Sequence, residues 1–189
     1  MKVMIVLLVP LLVSFVSAQT FRWGPCPTPK VQPNFEVDKY LGKWYEIEKL
    51  PASFERGKCI EANYKLNPDK TIQVLNFQTY KGKVEGAEGT AVIQDMREPA
   101  KLGVRFSYFT PYAPYWVLST DYNVSLVYSC TDVLRLFHVD FAWILSRTRT
   151  LPAETISKAK EIFSRDNIDV SKMCPTDQRG CDVPDVYAP

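Results

Sequence analysis

The sequence predicts an all-β fold: an eight-stranded up-and-down antiparallel barrel with one C-terminal α-helix packed outside it. Three observations carry this expectation. Eight successive segments show the apolar–polar alternation of half-buried strands, joined by short turns. One later segment switches to helical spacing. The last strand is long and bulky along one face: Phe137, Val139, Phe141, Trp143 and Leu145 against His138, Asp140 and Ser146. A two-sheet sandwich is the competing architecture. The bulky face favours the barrel, because a barrel of about eight strands can hold large side chains or one small ligand.

The elements follow in order. Met1-Lys2 is a short positive start, and Val3 to Val16 is almost wholly apolar. Val16-Ser17-Ala18 puts small residues where signal peptidase cuts. The run falls short of the ~20 apolar residues of a bilayer span. Residues 1–18 therefore read as a signal peptide and residues 19–189 as one secreted domain. Residues 19–39 carry Pro25, Pro27, Pro29 and Pro33 and read as an irregular arm. Strands follow at Trp44 to Leu50, Ile60 to Leu66, and Ile72 to Val74 with Asn76 in phase. Val84 to Asp95 is a weaker strand whose Gly86 and Gly89 indicate a bend or bulge. Leu102 to Tyr108, Tyr115 to Thr120, Ser125 to Cys130 and Leu134 to Arg147 complete the eight. Pro152 then opens a helix with Ile156, Ala159, Lys160 and Phe163 at helical spacing, ended by Asp166-Asn167. Ile168 to Met173 reads as a short closing strand, and residues 174–189 as a loose tail.

Composition removes several functions. Lys plus Arg is 23 and Asp plus Glu is 21, so the net charge of +2 supplies no basic face for nucleic acid. With 46% apolar residues, disorder is excluded as the ground state. A single histidine, His138, leaves no multi-histidine metal site. A Ser-His-Asp set can be drawn, but Gly-x-Ser-x-Gly is absent and His138 reads outward by parity. No catalytic residue, metal or cofactor is expected. Five cysteines in a secreted chain imply two disulfides and one odd thiol, and spacing alone does not choose the pairs.

The inward faces supply Tyr64, Val74, Asn76, Leu102, Phe106, Tyr115 or Trp116, Leu118 and Trp143. Rings of this size do not all meet on one axis without gaps, so the set favours a cavity. Asn76 brings an amide inward, where a ligand group or a trapped water would be its partner. Residues 106–116 join aromatic and proline residues across a strand–loop–strand junction. The 109–116 part is a candidate apolar tip for a lipoprotein or membrane surface. Asn123-Val124-Ser125 is the chain's single Asn-x-Ser/Thr sequon, at a hairpin tip.

Three regions now combine. Asn34-Phe35 precedes Gly42-Lys43-Trp44-Tyr45 by six residues; Thr120-Asp121-Tyr122 lies between two later strands; Arg147 ends the last. Together they resemble the three signature regions of the lipocalins. Lys39 to Lys49, Ala113 to Trp116 and Leu136 to Leu145 further resemble one lipid-carrying branch of that family, with likeness spanning roughly residues 22–181. The resemblance implies Trp44 at the barrel floor under Arg147, Gly42 in a tight turn, and Asp121 accepting loop N–H groups. It also implies a pocket lined by Tyr64, Asn76, Phe106, Trp116 and Trp143; parity adds Tyr115. The implied ligand is a sterol or steroid, a fatty acid or an arachidonic-type lipid, with lipoprotein association. A pigment ligand (bilin or carotenoid) or a pheromone is the alternative. The same likeness implies Cys26–Cys130 and Cys59–Cys181, leaving Cys174 for an intermolecular bridge on an otherwise monomeric protein. A local Cys174–Cys181 bridge is the rival.

Overall fold

The computed structural model describes residues 20–181, so the expected signal peptide and the end of the tail lie outside the described residues. The strands are β1 (Thr20–Trp23), β2 (Gly42–Lys49), β3 (Lys58–Leu66), β4 (Ile72–Tyr80), β5 (Lys83–Ile93), β6 (Lys101–Arg105), β7 (Ala113–Thr120), β8 (Val124–Val133), β9 (Phe137–Ser146) and β10 (Cys174–Pro175). The helices are α1 (Val37–Tyr40) and α2 (Ala153–Arg165). Strands β2 to β9 pair in sequence, all antiparallel, and β9 closes on β2. This is the expected eight-stranded barrel. The stretches of β9 and β2 that this closure leaves open, Phe137–Asp140 and Glu48–Lys49, are covered by β1 and β10.

Four expectations are corrected. The N-terminal arm is partly regular, because β1 pairs with β9 from Thr20↔Asp140 to Trp23↔Phe137. The Arg22 guanidinium bonds Asp140 at 3.2 Å and also Asp169, which ties the arm down. Residues 168–173 form no strand; the closing strand is Cys174–Pro175, paired to Lys49 and Glu48. Gly86 and Gly89 mark no register shift in β4–β5. They mark close approach instead, since a Cβ at Gly86 would meet the Phe77 ring at 2.8 Å and one at Gly89 would meet Phe106 at 2.8 Å. The ladder irregularities sit at Glu46/Glu48, Lys58/Glu61 and Val117/Ser119. Finally, residues 174–181 are anchored: the Gln178 amide donates to Glu46 O and Ile60 O at 2.9 and 2.8 Å, and Cys181 is bonded to Cys59.

Period-2 alternation divides the apolar residues into two cores. One lies inside the barrel and includes Trp44, Tyr64, Ile72, Val74, Leu102 and Leu145. The other lies outside, between the barrel wall and α2, and includes Leu50, Tyr128, Ile144, Phe163 and Ile168. Phe163 is fully buried there, a contribution of about 1.5–3 kcal/mol. Helix α2 stops where Asn167 takes a left-handed φ of 60° and Ile168 N bonds Phe163 O at 3.0 Å. Both cystines, Cys26–Cys130 and Cys59–Cys181, form as the resemblance implied.

Candidate functional site

One end of the barrel is closed from the sequence signatures upward. Gly42, at φ +87°, turns the chain into β2, so Trp44 follows on the inner face with no exposed surface. The Trp44 indole N–H donates to Tyr40 O at 2.8 Å. The Arg147 guanidinium carbon lies 3.9 Å from the Trp44 ring centroid. Its nitrogens donate to Lys43 O, Leu41 O and Tyr122 O at 2.6, 2.7 and 3.2 Å. Burial lowers the Arg147 pKa. Asp121 accepts from Asn123 N and Val124 N at 2.9 and 2.7 Å, holding the adjacent turn. Phe35 and α1 complete the floor, with Phe35 and Tyr40 ring centroids 5.2 Å apart.

Above the floor is an apolar cavity of about 740 Å³. Its depth is crossed by a chain of hydroxyls. Ser125 Oγ, Tyr40 Oη, Tyr115 Oη and Tyr64 Oη are linked in that order at 2.9, 3.1 and 2.8 Å. Burial pushes the Tyr40 phenol up to about 12 and raises Tyr64 and Tyr115 as well, so all three stay protonated donors. The cavity wall also carries Trp143, stacked on Phe141 with centroids 5.9 Å apart, while Phe54 meets Phe141 at 5.3 Å.

Of the expected lining residues, Tyr64, Asn76, Phe106, Tyr115 and Trp143 all face this cavity. Asn76 Oδ1 is buried without a hydrogen-bond partner. Phe106 lies beyond the end of β6, half-exposed at the mouth. Trp116 and Leu118 are corrections. Tyr115 faces inward, so its strand neighbour Trp116 must face outward. Trp116 packs on the outer core under Lys101 Nζ, 5.0 Å from its ring, and Leu118 joins that core. Cys174 Sγ is the free thiol among the described residues, half-buried 3.6 Å from Lys49 O. Asn123 is exposed on the β7–β8 turn. His138 is 7% exposed on the outer face and bonds Gly24 O through Nδ1 at 2.8 Å, a structural role.

Sequence reasoning missed Glu55. It sits in the loop after β2, where Phe54-Glu55-Arg56 reads as an ordinary solvated turn. The loop instead folds back over the cavity wall, and Glu55 Oε2 accepts from Trp143 Nε1 at 3.0 Å. Lys49 Nζ stands 3.7 Å from Glu55 and 2.9 Å from Glu46, itself 2% exposed. Burial and the neighbouring Glu46 carboxylate push Glu55 up to about 8. No sequence signal marked it, because the partners come from β2 and β9.

Comparison with known proteins follows this geometry. The lipocalin-like domain family matches residues 35–178. The chain belongs to the lipocalin family. Within it the chain is similar to apolipoprotein D: that of Oryctolagus cuniculus is 54% identical over 172 residues, covering 90% of this chain and 91% of the relative. The bilin-binding protein of Pieris brassicae is 37% identical over 154 residues, covering 78% and 80%. Insecticyanin from Manduca sexta superposes with a TM-score of 0.74 at 32% identity, covering 84% of this chain and 89% of that one.

Proposed function

We propose that the protein is a secreted carrier that holds one small hydrophobic ligand, of the sterol, fatty-acid or arachidonic-type class, in the barrel. The observation that carries this reading is the apolar cavity of about 740 Å³ above a fully buried Trp44 floor. Its size suits a drug- or sterol-sized molecule. Kinship with apolipoprotein D supports the lipid class. Two cystines and the sequence pattern of residues 1–18 support secretion. Around the mouth, Phe109 is 93% exposed, Tyr108 79% and, on the β8–β9 turn, Leu134 85%. Such a rim suits contact with a lipoprotein or membrane surface. Asn123, exposed beside a turn, is the proposed glycan site; glycosidase treatment of the secreted protein then increases its gel mobility, and unchanged mobility removes the assignment.

The test is mass spectrometry of lipid extracted from protein purified from its native source. One apolar species near one equivalent per chain is expected. An empty extract, together with no saturable binding of steroids or fatty acids at micromolar levels, ends the carrier reading. The kinship with a bilin-binding protein favours one second reading, a pigment carrier. A visible absorption band in the same preparation selects it.

A further inference from the structure

Resting on the reading of the rim as a lipid contact, we infer that the open end of the barrel docks on bilayers of anionic phospholipid. Its apolar tips enter the surface, and Arg56, Lys81, Lys83 and Arg135 meet the charged headgroups.

Four connections surround the open end: residues 50–57, 81–82, 106–112 and 134–136. Each brings an exposed apolar side chain together with a cation in the chain. Phe54 accompanies Arg56, Val84 accompanies Lys81 and Lys83, Phe109 accompanies Arg105, and Leu134 accompanies Arg135. The tips are held in this presentation. The Arg105 guanidinium lies over both Tyr108 and Tyr112, 5.1 and 4.5 Å from their ring centroids, which fixes the loop that bears Phe109. Leu134 and Arg135 both take left-handed φ, 54° and 56°, at a turn where Asn-Gly would be unstrained. The chain tolerates that strain and so keeps an apolar and a cationic side chain at the tip.

Charge is divided unevenly between the two ends. Residues 80–84, 105–113 and 133–137 contain no Asp or Glu. Within residues 50–57 the one carboxyl, Glu55, turns inward to Trp143. The carboxylates next along the strands are engaged: Glu85 accepts from Gln78 Nε2 at 3.2 Å, and Asp132 from Cys26 N at 2.8 Å. Arg56, Lys81, Lys83 and Arg135 are exposed, and none of them forms an ion pair among the described residues. At the closed end each of the three turns between strands carries a carboxylate: Asp69, then Asp95 with Glu98, then Asp121. There Arg97 and Lys101 are paired with Asp95 and Glu98, each at 2.7 Å. A neutral surface would satisfy the apolar tips alone. An anionic one answers the tips and the four cations together, and it turns the cavity mouth toward the bilayer.

The experiment floats ligand-stripped protein with vesicles of phosphatidylcholine alone, or of phosphatidylcholine with about one-third phosphatidylserine. The wild type is expected to bind the anionic vesicles about a hundredfold tighter than the neutral ones, and to lose that preference as salt is raised. A triple variant, Lys81→Gln with Lys83→Gln and Arg135→Gln, is expected to lose about a hundredfold on anionic vesicles, at roughly fivefold per cation. Lys65→Gln with Lys70→Gln, at the closed end, is expected to bind as the wild type does. That pair separates an oriented face from the overall charge of +2. Phe109→Ser with Leu134→Ser is expected to weaken binding about tenfold and to keep its salt dependence. Equal binding of the wild type to both vesicles overturns the anionic selectivity and leaves the rim's lipid contact standing. Absence of binding to either vesicle overturns both. A triple variant that binds as the wild type does, an equal loss in the closed-end pair, or unchanged binding by the serine pair overturns the inference as well. The salt titration uses the wild type alone, so it decides the point whatever the variants' folding. Failure of steroids and fatty acids to bind protein that still docks on anionic vesicles overturns the carrier reading alone.

Discussion

Trp143 Nε1 donates to Glu55 Oε2 across 3.0 Å, joining β9 to the loop that follows β2 at the cavity wall. The carboxyl is buried beside the Glu46 carboxylate, and these two effects, which disfavour its charge, outweigh Lys49 and the Trp143 bond, which favour it. Glu46 and Lys49 face it from β2, and the Trp143 N–H faces it from β9. Its folded pKa of about 8 lies above the unfolded value near 4.3. The folded state therefore binds the extra proton, and the contribution of Glu55 to stability falls as pH rises from about 4 to about 8. Glu55→Gln keeps an acceptor for Trp143 but cannot ionise. Relative to that variant, the wild type should lose stability across this window, on the order of a few kcal/mol, and level off above it. Parallel urea-unfolding midpoints for the two proteins from pH 4 to 9 would show an ordinary solvated carboxylate instead.

Arg147 joins four backbone segments at the closed end. It covers Trp44 and donates to carbonyls before and within β2 and to Tyr122. Arg147→Ala should lower unfolding stability by about 2–4 kcal/mol, from the lost stacking and charge-assisted hydrogen bonds. Arg147→Lys should recover less than half, because an ammonium cannot supply the planar fork. Denaturant unfolding with the cystines intact measures both. Near-full recovery by lysine would mean that charge alone matters.

Trp143 is the indole at the cavity wall, while Trp116 lies outside the barrel and Trp23 is 82% exposed on β1. Ligand-induced quenching of Trp fluorescence should therefore drop most in Trp143→Phe. Trp116→Phe and Trp23→Phe should retain nearly all of it. A quench that vanishes with Trp116→Phe would put the ligand on the outer face.

Unreduced protein unfolded in denaturant should take up one equivalent of a thiol reagent, at Cys174. Peptide mapping should recover Cys26 with Cys130 and Cys59 with Cys181. A linked pair of Cys174 and Cys181 would contradict this pairing. Replacing Cys59 and Cys181 together by Ala should cost roughly 4–5 kcal/mol at most, since the bridge closes a loop of 122 residues in the unfolded chain.

Much of the fold was legible in the residues themselves. Period-2 alternation reports which side of a strand faces a core, and Ile60 to Leu66 and Leu134 to Arg147 carry it plainly. The Trp44–Arg147 floor and the Asp121 turn follow from motifs whose partners are local or signature-bound. Tyr64, Asn76 and Trp143 were readable as inward for the same reason. Alternation does not say which of two buried faces is the inside. Tyr115 and Trp116 are both bulky, both partly covered, and adjacent, so only closure of the sheet and packing beneath α2 sent Trp116 outward. The arm 19–39 looked irregular because prolines dominate it, yet four residues found an edge on β9. Glu55 was invisible for a different reason. A glutamate in a loop is ordinarily solvated, and nothing in its neighbours says that the loop will fold over a cavity wall. Its burial, its raised pKa and its indole partner arise only when β2, β9 and the loop are brought together. The sequence by itself determined the strand pattern and the helix, which rest on local periodicity, while the closed floor was implied by the resemblance to the lipocalin signatures. Tertiary structure alone decided which faces enclose the cavity and which polar groups are stranded within it, because burial belongs to the closed barrel and not to any one strand.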